Sequence, residues 1–255
     1  MIKKVIHYCH FGRKPKSTLA EKCIKSWKKY CPDYDIKEWN EDNFDVNECL
    51  YSKQAYENEQ FAFVADYARL KIMAENGGIY LDTDVELLKP LDDLLKYNFF
   101  ASTEVPSGNL ICIGLGFGAE AHNKYVEEML TDYKKIPFIK KDGSFDRTTG
   151  PIRNTETFIR LWGSEPAITD VIEKNGEIFF PRDYFNPRDF SGFLLHKSKN
   201  TRAIHWGASS WKNQDELNQL KKKLFKRRLY VLLIMIFGER IINKIKRMLS
   251  HCANG

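Results

Sequence analysis

The six cysteines of this 255-residue sequence, Cys9, Cys23, Cys31, Cys49, Cys112 and Cys252, form no C-x-x-C pair and follow no regular spacing. That pattern suggests neither a zinc knuckle nor a disulfide scaffold, and reduced thiols in the cytosol fit it best. No apolar run approaches the roughly 20 residues of a membrane-spanning helix. The opening "MIKKVIHYCHFG" has an apolar stretch too short and too polar for a signal peptide, so a cytoplasmic location is expected. Internal repeats and low-complexity linkers are missing. So are helix-turn-helix, RNA-binding and zinc-finger patterns, and no nucleic-acid partner is expected.

A net positive charge is also missing, except at one end. The net charge is +6, but residues 219–255 hold ten Lys or Arg against the single acid Glu239, a balance of +9. The first 218 residues are therefore at −3. The expected division is a catalytic domain over 1–218 and a basic tail over 219–255. The tail's apolar core, Leu229 to Phe237, covers about half of the length a bilayer-crossing helix needs. With six cations among residues 221 to 228 beside it, this composition suits an amphipathic helix lying on an anionic membrane surface. A terminal helix docked on the protein core is the alternative.

With 43% hydrophobic and 13% aromatic residues, the chain can bury one sizeable core or two small ones, and a single large α/β domain is the simpler account. "KKVIHYCHFG" reads as an opening strand ended by Gly12. "TLAEKCIKSWKKYCPDY" reads as a helix with Leu19, Cys23, Ile24 and Trp27 on one side. "YDIKEWN" alternates as a second strand. "NEQFAFVADYARLKIMAENGG" reads as a helix closed by glycine, with Phe61, Ala65, Ala68 and Ile72 on one stripe. The strand-helix-strand-helix-strand order predicts an α/β fold with a twisted, mostly parallel sheet.

The third strand, Ile79 to Leu81, runs into Asp82 and Asp84, at the carboxyl end where open α/β sheets place ligands. In an extended chain the two carboxylates point to one side, and a hard divalent cation would relieve their repulsion. A solvated acidic turn before a helix announced by Pro90 and Asp92 is the plainer reading of D-x-D alone. On the preceding helix, Asp66 and Arg69 are three apart, beside the apolar stripe. They form either a surface ion pair or a site in which the guanidinium fork meets an anion while Asp66 accepts from hydroxyls.

"FAFVADYARLKIMAENGGIYLDTDVELLKPLDDLL" resembles the central signature of the family 32 glycosyltransferases, the group of Och-type mannosyltransferases and many capsule and O-antigen enzymes. It is also similar to the catalytic domains of the large clostridial glucosylating toxins. The resemblance extends to "IHYCHFG", to "TTGP" at 148–151 and to "AIHWGASSW" at 203–211. It implies a GT-A fold, a Rossmann-like domain acting on a nucleotide sugar with a divalent metal, usually manganese (or magnesium), and retention of anomeric configuration. By position it makes Asp82, Asp84 and His205 the metal site, with Asp66, Arg69, Asp82 and Asp84 as the catalytic set. It places His7, Tyr8, Cys9, His10, Phe61, Ala65, Tyr80, Gly150, Pro151, Ser210 and Trp211 around the donor with Asp66, Arg69, Asp82 and His205. His10 stands where family members usually carry an aromatic facing the base.

The expected reaction is transfer of a hexose or N-acetylhexosamine, most simply from a UDP-linked donor such as UDP-galactose or UDP-glucose. The expected acceptor is a lipid-linked oligosaccharide at the inner face of the cell membrane, where the tail would hold the enzyme peripherally. Two other classes stay open: a metal-dependent nucleotide-sugar hydrolase or nucleotidyltransferase, and a membrane-binding module without catalysis.

Overall fold

The computed structural model describes residues 1–105, 108–189, 191–192, 194–209, 212, 214–238 and 241. The chain forms two compact units, one of Met1–Pro187 with Lys197–Trp211, the other of Arg188–His196 with Lys212–Gly255. The division after Trp211 precedes the boundary at 218 expected from charge.

The first unit opens with β1 (Val5–Cys9), α1 (Thr18–Tyr30), β2 (Asp35–Trp39), α2 (Leu50–Glu57), α3 (Phe61–Asn76), β3 (Gly78–Tyr80) and β4 (Val85–Leu87). It continues with β5 (Phe99–Thr103), β6 (Ile111–Cys112), β7 (Phe117–Ala119), α4 (Lys124–Lys134), α5 (Gly150–Trp162), β8 (Ile172–Lys174), β9 (Glu177–Phe180) and β10 (Ala203–His205). The main sheet runs β2-β1-β3-β7-β5-β9-β8, with β6 added on β5. Strands β2, β1, β3, β5 and β9 point the same way, and β7, β6 and β8 run against them. The α/β class and the parallel strands leading to Asp82 are as expected. Pro90 and Asp92 announce only a 3-10 turn, Asp92–Leu94.

Local chemistry explains the elements beside the site. Helix α1 starts at Ser17, whose Oγ accepts from the Ala20 amide at 3.1 Å, and carries Lys28 and Lys29 in its last turn. Its Trp27 is fully buried and donates its indole N–H to the Val85 carbonyl at 2.7 Å, which ties α1 to β4. Helix α3 ends at Gly77, where φ is +63°, and a Cβ there would lie 2.6 Å from the Ala121 amide nitrogen. Only glycine turns the chain directly from α3 into β3 at that spot.

The sheet separates two apolar clusters. Ile6, Tyr8, Trp27, Ile79 and Leu87 pack on the α1 side, while Cys9, Phe63, Tyr67, Tyr80, Tyr125 and Phe158 pack on the side of α2, α3, α4 and α5. The expected single stripe on α3 is corrected here. Phe63, Val64, Tyr67, Leu70 and Met73 are buried along with Ala68 and Ile72, whereas Phe61 and Ala65 are only partly covered. A helix flanked by α2 and α4 and backed by the sheet is covered on most of its faces.

The second unit contains α6 (Gln214–Phe237). Its Val231 is buried, and Phe225, Leu229, Leu232 and Ile236 are exposed. No helix among the described residues is long and apolar enough to cross a membrane. Residues 242–255 of the expected tail, with Glu239 and Arg240, lie outside the described residues.

Candidate active site

Asp82 and Asp84 converge through a turn rather than through an extended strand. The Val85 amide donates to the Asp82 carbonyl at 2.9 Å, folding residues 82–85 back on themselves between β3 and β4. Strand β10 then pairs antiparallel with β4 in a register that sets His205 opposite Val85. One carboxylate oxygen from each aspartate and one ring nitrogen of His205 lie within 4.8 Å of one another. The Trp206 amide donates to the Asp84 carbonyl at 2.9 Å and the Ala208 amide to Asp84 Oδ2 at 2.6 Å. These bonds fix the orientation of Asp84 and leave its Oδ1 facing His205 Nε2 at 3.3 Å.

Arg69 lies behind this group. Its Nη2 is 2.9 Å from Asp66 Oδ1 and 3.3 Å from Asp82 Oδ1, its Nε donates to the Ala65 carbonyl at 3.2 Å, and its fork lies 5.0 Å from the centre of the Tyr80 ring. The side chain is only 9% exposed, so the pair with Asp66 is not a solvated surface bridge. One guanidinium serves two aspartates because its planar fork offers several fixed donors at once.

The electrostatics follow from burial and crowding. Burial pushes the Asp66 carboxyl up to about 6, against the pull of Arg69. Asp82 is likewise raised by burial and by the neighbouring Asp84, with Arg69 opposing. Burial also acts to raise Asp84, but the His205 hydrogen bond and charge and the Ala208 amide outweigh it and hold the group low. Burial alone would lower His205, and Asp84 reverses the direction, so the imidazole is raised. Three carboxylates facing one arginine and one histidine leave the site short of positive charge.

A divalent cation fits that deficit. Two carboxylates and an imidazole form a donor set suited to a borderline-hard ion such as manganese, and among the described residues no other His, Cys, Asp or Glu cluster has ligand spacing. Asp82, Asp84 and His205 would hold it.

Two residues at the site carry no motif in the sequence. Gly114 approaches so closely that a Cβ on it would lie 2.6 Å from Asp82 Oδ2 and 3.1 Å from Arg69 Nη1. Asn154, one turn into α5, is 1% exposed, and its Nδ2 has no hydrogen-bond partner. A Cβ on Gly150 would stand 3.4 Å from Asp66 Oδ1 and 3.9 Å from Asn154 Nδ2. Gly150 thus stands between an acceptor and a buried donor that has no partner. A buried amide left unpaired costs about 1–3 kcal/mol. The Gly150 to Asn154 spacing of one helical turn is the only trace of this arrangement in the sequence.

The remaining predicted contacts divide. Phe61 is partly exposed, and Ala65 contributes its carbonyl to Arg69. Tyr80 is buried and supports Arg69 from below. Pro151 stands in the first turn of α5, where its missing N–H costs no helical bond. His10 is partly exposed and donates from Nε2 to the Lys14 carbonyl at 2.7 Å. Cys9 is buried against the α3 side, and burial pushes its thiol up to about 12.

The expectation of ligand contacts from His7 and Tyr8 does not hold for their side chains. Trp39 Nε1–H donates to His7 Nδ1 at 3.0 Å, so the proton is on Nε2, which donates to the Gly77 carbonyl at 3.0 Å. Both ring nitrogens are committed and the residue is 2% exposed. Tyr8 points to the opposite face of the sheet, packs edge-on against Trp27 and donates to Glu38 at 2.6 Å. Alternation along β1 sends these neighbours to opposite sides, and packing occupies both. Ser210 and Trp211 lie outside the described residues.

Parts of the chain are similar to known proteins. A stretch of 52 residues is 46% identical to Glucan organizing enzyme 1 of Cryptococcus neoformans var. grubii, covering 20% of this chain and 13% of that one. The chain thus spans only a small part of the length of that curated relative. Among solved structures, PaToxG glycosyltransferase is similar at 19% identity and a TM-score of 0.43, over 63% of this chain and 70% of the other. A glycosyltransferase involved in glycosylation of the major capsid of PBCV-1 is similar at 14% identity and a TM-score of 0.46, over 80% and 94%. Residues 17–101, which contain Asp66, Arg69, Asp82 and Asp84, match the glycosyltransferase sugar-binding region containing DXD motif.

Proposed function

We propose that the protein is a metal-dependent, retaining glycosyltransferase that moves a hexose or N-acetylhexosamine from a nucleotide sugar, UDP-linked in the simplest case, to a lipid-linked oligosaccharide. The setting is bacterial capsule or O-antigen synthesis at the cytoplasmic face of the cell membrane. The observation that carries the reading is the convergence of Asp82, Asp84 and His205 beside the Asp66–Arg69 pair, within a stretch that matches a sugar-binding region. Retention, the UDP moiety and the acceptor come from the resemblance and from the basic tail.

The residues divide the work by chemistry. Breaking the anomeric bond leaves charge on a diphosphate, and a divalent ion would supply Lewis-acid stabilisation of that charge. Arg69 adds a fixed cation, preorganised by Asp66, Asp82 and the Ala65 carbonyl, so no reorganisation is needed as charge develops. Asp66 accepts from sugar hydroxyls, and Asn154, whose Nδ2 lacks a partner beside Gly150, donates to them. A hydroxyl that donates to one and accepts from the other satisfies both groups. A hydrolase or nucleotidyltransferase acting through two metals would need further carboxylates, and the described residues offer none with ligand spacing at this site.

A thermal-shift screen of UDP- and GDP-sugars with and without Mn2+ tests the reading. Saturation near 100 Kd stabilises the native state by about 2.7 kcal/mol, which corresponds to a rise of roughly 5–10 °C for a domain of this size. The expected result is a rise with a UDP-sugar only when Mn2+ is present. No rise with any nucleotide sugar, with or without metal, contradicts the proposal.

A further inference from the structure

The exposed side chains of helix α6 pass from mostly cations between Lys221 and Arg228 to apolar groups beyond them, where Met235 and Phe237 are 64% and 50% exposed. Phe225, Leu229, Leu232 and Ile236 recur at spacings of four, three and four, which places them on one stripe of a helix. They are 67%, 46%, 45% and 61% exposed, while Val231, on the other side of the helix, is 7% exposed. At about 100° per residue, Lys221 and Arg228 fall on one flank of the stripe and Lys222 and Lys226 on the other. All four cations are exposed. Tyr230, Val231 and Ile234 turn instead towards a hollow shared with Asp189, Leu194 and His196 of the same unit.

We propose that this face of α6 is a docking surface for an anionic lipid bilayer, with the helix axis in the membrane plane. The stripe covers eleven residue rises, about 17 Å, along one side of the helix, so its apolar side chains reach a common depth only when the axis lies flat. The Lys and Arg beside Phe225 have apolar stems and charged tips, a shape that lets the stems lie along the apolar surface at that end of the stripe while the tips meet headgroup phosphates or carboxylates. Charge complementarity selects the occupant. A second copy of α6 would bring like-charged flanks together, and a nucleic acid would leave the apolar stripe in water. The surface is independent of the donor site; only its role in bringing the enzyme to a lipid-linked acceptor rests on the proposed function.

The test is co-sedimentation of the full chain with phosphatidylcholine vesicles and with vesicles containing about a quarter phosphatidylserine, at low and high salt. The wild type is expected to bind the anionic vesicles and to release as screening increases. Each interfacial cation contributes about a five-fold gain in partitioning. A Lys222→Gln, Lys226→Gln, Arg228→Gln variant is therefore expected to bind roughly 100-fold less, with a weaker dependence on salt. Phe225→Ser with Leu232→Ser is expected to lose at least about ten-fold while keeping its salt dependence. These positions are exposed, so both variants keep the wild-type melting temperature. Nucleotide-sugar binding, measured in parallel, separates the two proposals: vesicle binding without donor binding leaves the surface standing and removes the proposed activity. Wild-type protein that fails to bind anionic vesicles, variants that bind as well as wild type, or variants that instead change the oligomeric state overturn the inference.

Discussion

Gly114→Ala is a substitution in which one methyl group reads out the active-site geometry. The Cβ would stand 2.6 Å from Asp82 Oδ2 and 3.1 Å from Arg69 Nη1, against an ordinary contact of 3.4 Å or more. Something must move by several tenths of an ångström. The Asp82 carboxylate is the part that yields, because its side chain is 27% exposed whereas Arg69 is 9% exposed and bonded on several sides. A metal-ligand distance tolerates about 0.2 Å, so a displaced Asp82 loses ligand geometry while the fold absorbs the methyl at about 1 kcal/mol. The backbone of Gly114 is not in the left-handed region, so alanine brings no backbone strain there. In metal-stripped protein titrated with Mn2+, half-maximal activity is expected at roughly ten-fold higher metal, with kcat/KM at saturating metal down about 10–100-fold, the scale of a misplaced catalytic group. A variant with wild-type kcat/KM and an unchanged Mn2+ midpoint refutes the assignment of Asp82 as a ligand held in place by Gly114.

Arg69→Lys keeps the charge but loses the fork that spans Asp66 and Asp82, and kcat/KM for transfer is expected to fall about 100-fold or more; an unchanged value in steady-state assays would reduce Arg69 to a packing residue. Asn154→Ala removes a buried donor that has no partner, so the melting temperature should stay within about 2 °C while affinity for the nucleotide sugar drops and affinity for the free nucleotide does not. Equal loss for both ligands by calorimetry counts against the sugar contact. His7 is pushed down to about 4 from its ordinary 6.5 by burial, partly opposed by its bond to Gly77. Its neutral form is the one the fold holds, so its stabilisation is complete above pH 6.5 and is lost as pH falls from there towards 4, by up to about 3 kcal/mol. Denaturant titrations across that window should show a shallower loss in His7→Gln than in wild type, and equal slopes would remove His7 as the cause.

The sequence made some of this legible and hid the rest for identifiable reasons. The path from α3 through Gly77 into β3 was readable because each step is local: a periodic helix, a glycine stop, a short apolar strand. Helix α2 was not, since Tyr51 and Ala55 are its buried contacts in an otherwise polar stretch, and tertiary packing rather than periodicity forms it. His205 reaches Asp84 through the pairing of β10 with β4, more than a hundred residues apart, a non-local contact that only motif resemblance anticipated. The geometry of Asp82 and Asp84 was expected from an extended chain and is produced by a turn instead. His7 read as a ligand contact because nothing in the sequence shows that Trp39, two residues beyond its partner Lys37 on β2, reaches back and donates to its Nδ1. Gly114 and Asn154 were missed because their roles consist of a lacking side chain and a lacking partner.

The central claim is that Asp82, Asp84 and His205 hold a divalent ion that makes nucleotide-sugar cleavage possible, with the Asp66–Arg69 pair preorganised beside it. Its most direct measurement is the release of UDP from a UDP-sugar by metal-stripped protein, with and without added Mn2+, in wild type and in Asp84→Asn. A neutral amide is a poor ligand for a hard cation, and Asp84 is fixed mainly by its backbone and by the Ala208 amide, so the variant should fold as wild type does. The account predicts Mn2+-dependent release in the wild type and a loss of about 100-fold or more in Asp84→Asn at an unchanged melting temperature. Release that needs no metal, or an Asp84→Asn variant that keeps wild-type activity with metal still required, contradicts it.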